Sequence, residues 1–133
     1  MDSTLNVLKL FLDELGLGAE IGKLDDRILL QKAVYLGQLH GADLGYRYGW
    51  YLRGPYCPTL AADYYQLSEA LQTESIDLTD KRLHPVLREQ AQKARPLLDL
   101  PDGVDLWRPE WLELLASVHF LQRISRMTPE DAR

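Results

Sequence analysis

Between Tyr46 and Leu67 the chain reads YRYGWYLRGPYCPTLAADYYQL, and few backbone paths satisfy this stretch. It carries six of the seven tyrosines, one of the three tryptophans and the only cysteine. Residues 46–52 predict a strand, because aromatic residues suit a pleated, half-buried surface. Tyr46, Tyr48 and Trp50 then share one face by the two-residue period, and Gly49 marks a weak point or bulge. Gly54-Pro55 predicts a turn. Pro58 suits the first position of a helix, where its missing N–H costs nothing. That helix is expected over 58–72, with Leu60, Tyr64, Leu67 and Leu71 on one stripe. A lone strand needs a partner. The sequence offers ESIDLT at 74–79, or a strand edge from a second copy.

The rest of the chain is helical in pattern. Leu5, Leu8, Leu12 and Leu15 predict a helix over 3–16, stopped by Gly16 and Gly18. Asp25 is expected to cap a second helix over 26–40. A fourth spans 85–98, broken or kinked near Pro96. A fifth spans 109–125, with Trp111, Leu114, Leu115, Val118, Leu121 and Ile124 expected inside. MTPEDAR at the end reads as a helix start, either a short frayed turn or the point where the natural protein continues. A length of 133 residues and a 46% apolar fraction suit a single domain over 1–133 with its own core. The expected fold is mainly α, about five helices, with a small β-hairpin or ribbon. No signal-peptide or membrane-spanning pattern occurs, and one cysteine suits a reducing cytoplasm.

Cys57 lies at a helix start, where a thiol is activated, but no histidine stands with it in a cysteine-enzyme pattern. A small capping residue is the plainer reading. His40, His84 and His119 show no metal-ligand spacing, so neither metal nor cofactor is expected. The pairs Asp25–Asp26 and Glu130–Asp131 sit at helix starts, where the helix dipole favours them. GLGAEIG lacks the features of a phosphate loop. The aromatic strand with Arg47 and Arg53 resembles a base-stacking kit, yet a net charge of −5 argues against phosphate binding. Tyr, Trp and Arg are also the residues that anchor protein interfaces.

Three segments together carry a family resemblance: LLQKAVYLGQ at 29–38, YRYGWYLRGPY at 46–56 and PTLAADYYQL at 58–67. The chain resembles the Panacea domain of SocA-like antitoxins, and more closely the YwgA-like proteins. Gln31, Lys32 and Tyr35 match the first element, Gly54, Pro55 and Tyr56 the turn, and Leu60 and Asp63 the helix after it. Arg53 departs from the aromatic residue usual before Gly-Pro, and Cys57 stands where serine is usual. The match covers residues 26–70. It implies a mainly helical domain with a small β element and no known catalytic chemistry; SocA-like members bind a protein partner as antitoxins or adaptors in toxin–antitoxin or phage-defence settings, whereas the YwgA-like proteins have no established activity. On this reading Tyr48, Trp50, Tyr51, Arg53 and Tyr56 are partner-binding residues. Gln31, Lys32, Tyr35, Gly54, Pro55 and Asp63 form a structural corner, with Asp63 reaching Lys32 or Arg53. A nucleic-acid-binding regulator is the alternative, and an enzyme using Cys57 or Asp63 the third. A homodimer through the strand edge is a further option.

Overall fold

A helix that buries residues on every side organises this molecule. The computed structural model describes residues 3–39, 44–73, 78 and 81–125, less the side chains of Ser3, Ile124 and Ser125. His40, most of the 74–79 strand candidate, the Ile124 side chain and MTPEDAR lie outside the described residues. The elements in order are α1 (Ser3–Glu14), α2 (Leu24–Gln38), β1 (Gly49–Tyr51), β2 (Gly54–Tyr56), α3 (Pro58–Gln72), α4 (Pro85–Ala94) and α5 (Arg108–Ser125). A 3-10 turn, Arg95–Leu98, follows α4 directly. The architecture is mainly α with one antiparallel hairpin.

Central α2 packs against α3, α4, α5 and β2. Its buried residues run from Ile28 to Gly37 and include Gln31 and Lys32. The helix begins at Leu24, two residues before the expected start, because Asp26 rather than Asp25 organises its entry. The Asp26 carboxylate accepts the Lys23 N–H at 3.2 Å, which satisfies one of the orphan donors of the first turn. Gly37 lets the Phe11 ring lie on the helix, since a Cβ there would stand 2.7 Å from the ring. Leu8, Phe11, Leu12 and Leu15 carry α1 into the same core. Each such side chain contributes about 1.5–3 kcal/mol on burial.

The strand is shorter than the aromatic pattern predicts, and its partner is nearer. β1 pairs with β2 in the register Gly49–Tyr56, Trp50–Pro55 and Tyr51–Gly54. The Gly-Pro stretch expected as a bare turn is therefore the second strand, and Leu52 and Arg53 form the loop. Tyr46 does not join the ladder because Gln38 takes its backbone. The Gln38 Nε2 donates to the Tyr46 carbonyl at 3.0 Å, and its Oε1 accepts from the Leu44 and Tyr46 N–H groups at 3.2 Å each.

On α5 the buried line is Leu112, Ala116 and Phe120. The expected inward residues Leu114, Val118 and Leu121 are exposed at 50, 45 and 51%. The correction is a rotation of the helix: β2 and α2 cover the neighbouring face, and the apolar stripe is left outside. Near the expected break, Pro96 sits in the 3-10 turn that ends the fourth helical segment.

Candidate functional site

The corner between α2 and the hairpin is built from two polar side chains inside an apolar helix. Gln31 is 2% exposed and Lys32 1%. The Gln31 amide clamps one residue from both sides: its Nε2 donates to the Cys57 carbonyl at 2.9 Å, and its Oε1 accepts the Cys57 N–H at 3.0 Å. Lys32 Nζ donates to the Pro55 carbonyl at 2.7 Å. Those groups sit where the second strand gives way to α3, so α2 supplies partners for the Cys57 N–H and the Pro55 carbonyl, and a second donor to the Cys57 carbonyl beside the Ala61 N–H of α3. Cys57 then caps α3, with its Sγ accepting the Leu60 N–H at 3.4 Å. Its thiol is buried, the position of a capping residue rather than of an exposed nucleophile.

Tyrosine hydroxyls close the corner. Tyr48 donates to the Gln31 carbonyl at 2.9 Å, and Tyr46 donates to Asp63 Oδ2 at 2.7 Å. Tyr35 shares a 2.7 Å bond with His119 Nδ1 on α5. The Tyr35 and Tyr48 rings meet edge to face, 5.1 Å apart, a favoured aromatic geometry. Burial pushes Tyr35 up to about 12, against the lowering field of Arg123. Tyr48 is also raised well above the ordinary tyrosine value, chiefly by burial. Tyr48 therefore keeps its proton as a donor to Gln31 throughout the neutral range, and in the Tyr35–His119 pair the donor follows the imidazole tautomer. Burial pulls Lys32 down to about 8; Glu113 on α5 opposes the fall and Arg53 adds to it.

Gly54 holds the hairpin against α5. Its φ is +90°, and a Cβ there would lie 2.3 Å from Ser117 Oγ. Both facts call for glycine. Beyond this pinned base the hairpin stands out into solvent. Trp50, Tyr51 and Leu52 are 52, 58 and 85% exposed. Trp50 stacks on Phe120 at 5.8 Å, and Tyr51 lies against Tyr56 at 5.3 Å. Leu114, Val118 and Leu121 follow one another at helical spacing beside Ser117 and Phe120, so an apolar stripe borders the hairpin. On its other side, the hairpin, α2 and α3 enclose a cleft of about 400 Å³.

The expected site residues thus divide. Trp50, Tyr51 and Arg53 are exposed and Tyr56 is half-buried. Tyr48 faces the other way: its hydroxyl is bonded inside the corner, so it supports the hairpin instead of presenting a surface. Asp63 meets neither Lys32 nor Arg53 but Tyr46, because the Pro55 carbonyl has taken the ammonium. His84 serves as the N-cap of α4, its Nδ1 accepting the Val86 N–H at 3.2 Å. Sequence reasoning missed Gln38, Ser117, Arg27 and Tyr65. Only Gln38 carried a visible signal, a polar residue at the end of an apolar helix. Among the described residues no cluster of His, Cys, Asp and Glu is arranged to hold a metal ion, and no helix is long and apolar enough to cross a membrane. No family model matches the chain, and comparison with curated proteins and with solved structures gives no significant match. The resemblance carried by residues 26–70 stands on those residues alone.

Proposed function

We propose that this protein is a protein-binding module whose contact face is the hairpin tip together with the bordering stripe of α5. One observation carries the reading: three consecutive large apolar residues, Trp50, Tyr51 and Leu52, are held in solvent on a base fixed by buried hydrogen bonds. Exposed apolar surface costs free energy unless something covers it, and large patches of it mark interaction sites. A rigid base matters equally, since a preorganised loop loses little conformational freedom on binding. Trp, Tyr and Arg are the residues that dominate interface energetics, and Arg53 lies at the rim of this face.

The mechanism is steric. The tip inserts its rings into a partner's apolar recess, and the α5 stripe extends the contact. The family resemblance supports an antitoxin-like or adaptor-like form of this reading, in which covering the partner restrains it. The single cysteine supports a reducing, cytoplasmic setting.

The test is affinity capture from source-cell extract, comparing the natural chain with a Trp50→Ser, Tyr51→Ser, Leu52→Ser variant. These side chains are exposed, so the variant is expected to fold with an unchanged circular dichroism spectrum. A partner retained by the natural chain and lost by the variant supports the reading. A nucleic acid that elutes with moderate salt points instead to a regulator. An identical set of captured proteins from both chains defeats the proposal.

A further inference from the structure

The cleft between α2, α3 and the hairpin loop has a charge pattern at odds with the chain around it. The protein holds 20 acidic and 15 basic residues. The cleft is nevertheless lined by Arg27, Lys32 and Arg53, with no acidic residue among its lining. Tyr51 and Tyr56 from the hairpin and Tyr65 from α3 supply aromatic surface. Its volume of about 400 Å³ lies within the range of small-molecule sites.

The cations have bonding capacity to spare. Lys32 is 1% exposed and donates to one acceptor, the Pro55 carbonyl. An ammonium has three protons, so two lack a protein acceptor among the described residues. Arg27 spends one Nη1 donor on the Ile21 carbonyl at 2.8 Å. Arg53, at the exposed hairpin loop, makes no hydrogen bond or ion pair among the described residues. Arg27, Arg53, Tyr51, Tyr56, Tyr64 and Tyr65 share the cleft lining with Lys32, and the charges that act on Lys32 are Glu113 on α5 and Arg53. Glu113 does not line the cleft. Arg53 and Lys32 repel one another, and an anion placed between them would relieve both.

We propose that this cleft binds a small organic anion, a phosphate or carboxylate attached to a flat aromatic body. The anionic group meets Arg53, Lys32 and Arg27, and the ring lies against Tyr51, Tyr56 and Tyr65. Charge-assisted hydrogen bonds supply the orientation, and cation–ring and ring–ring contacts supply the rest. The cleft shares Tyr51, Leu52 and Arg53 with the proposed protein-contact face, but the inference rests on the cleft's lining and charge and uses neither Trp50 nor the α5 stripe.

Phenyl phosphate is a direct probe, titrated calorimetrically into the full chain at pH 8 in two buffers of different ionisation enthalpy. Saturable binding tighter than about 1 mM is expected, with inorganic phosphate and benzyl alcohol each at least about tenfold weaker. Binding is expected to take up a fraction of a proton, because an anion beside Lys32 favours its charged form. Arg53→Gln should weaken phenyl phosphate about tenfold without lowering the thermal midpoint, since Arg53 makes no hydrogen bond or ion pair among the described residues and its removal relieves the repulsion on Lys32. Absence of saturable binding overturns the proposal. So does unchanged affinity in Arg53→Gln, or inorganic phosphate binding as tightly as phenyl phosphate.

Discussion

Gly54 and Lys32 show how much of this site rests on single residues. Gly54 has φ +90° and faces Ser117 Oγ across a gap no Cβ fits. Gly54→Ala is expected to cost about 2–4 kcal/mol in urea unfolding, combining backbone strain with overpacking. Adding Ser117→Ala removes the steric part alone, so the double variant should recover some of the loss but not all. Lys32 sets a pH dependence whose sign is unusual. Its folded value of about 8 lies below the ordinary 10.5, so between these values the unfolded chain holds the proton that the folded chain has released. Stability therefore rises with pH in that window, by about 2 kcal/mol from pH 8 to 10. Above pH 10 the raised values of Tyr35 and Tyr48 act the other way, because unfolded tyrosines ionise first. Denaturant titrations from pH 7 to 11 should show the rise in the natural chain and a flatter profile in Lys32→Met.

At the scale of the element, the hairpin is short because its flanks are bonded elsewhere. Three pairs in β1 and β2 would not persist alone in water; α2 and α5 hold them. Gln31→Leu keeps the side chain's bulk but leaves the Cys57 N–H buried without a partner, while the Cys57 carbonyl keeps only the Ala61 N–H. A loss of about 2–4 kcal/mol is expected, read from chemical unfolding. Cys57→Ser should shift stability by less than about 1 kcal/mol, since a hydroxyl caps α3 as well as a thiol does. The extents of α3 and α5 were legible in the sequence, α3 to the residue, because Pro58 and Pro109 mark helix starts and the apolar spacing is regular. The partner of β1 was not. A Gly-Pro pair reads locally as a turn, and only pairing with β1 makes it a strand. The facing of α5 was hidden for a related reason. Leu114, Val118 and Leu121 form as good a stripe as Leu112, Ala116 and Phe120, and choosing between them takes the position of the hairpin. Gln31 and Lys32 were legible as corner residues from the resemblance, but which backbone groups they hold was not. A side chain there meets backbone 26 residues away in sequence.

For the whole molecule, the two faces of the hairpin differ in character. One is apolar and continuous with the outer stripe of α5; the other borders a cationic cleft. An aromatic-anchored interface on the apolar face should lose little affinity between low and moderate salt, whereas binding in the cleft should weaken as salt rises. Measuring both at two ionic strengths separates them. The central claim is that the hairpin tip is where a protein partner sits. Its most direct test is photo-crosslinking in the source cell, with a benzophenone amino acid placed at Leu52 and, as a control, at Glu89 on α4. A discrete protein adduct is expected from position 52 and none of the same pattern from position 89. Adducts of equal pattern from both positions, or none from position 52, would contradict it.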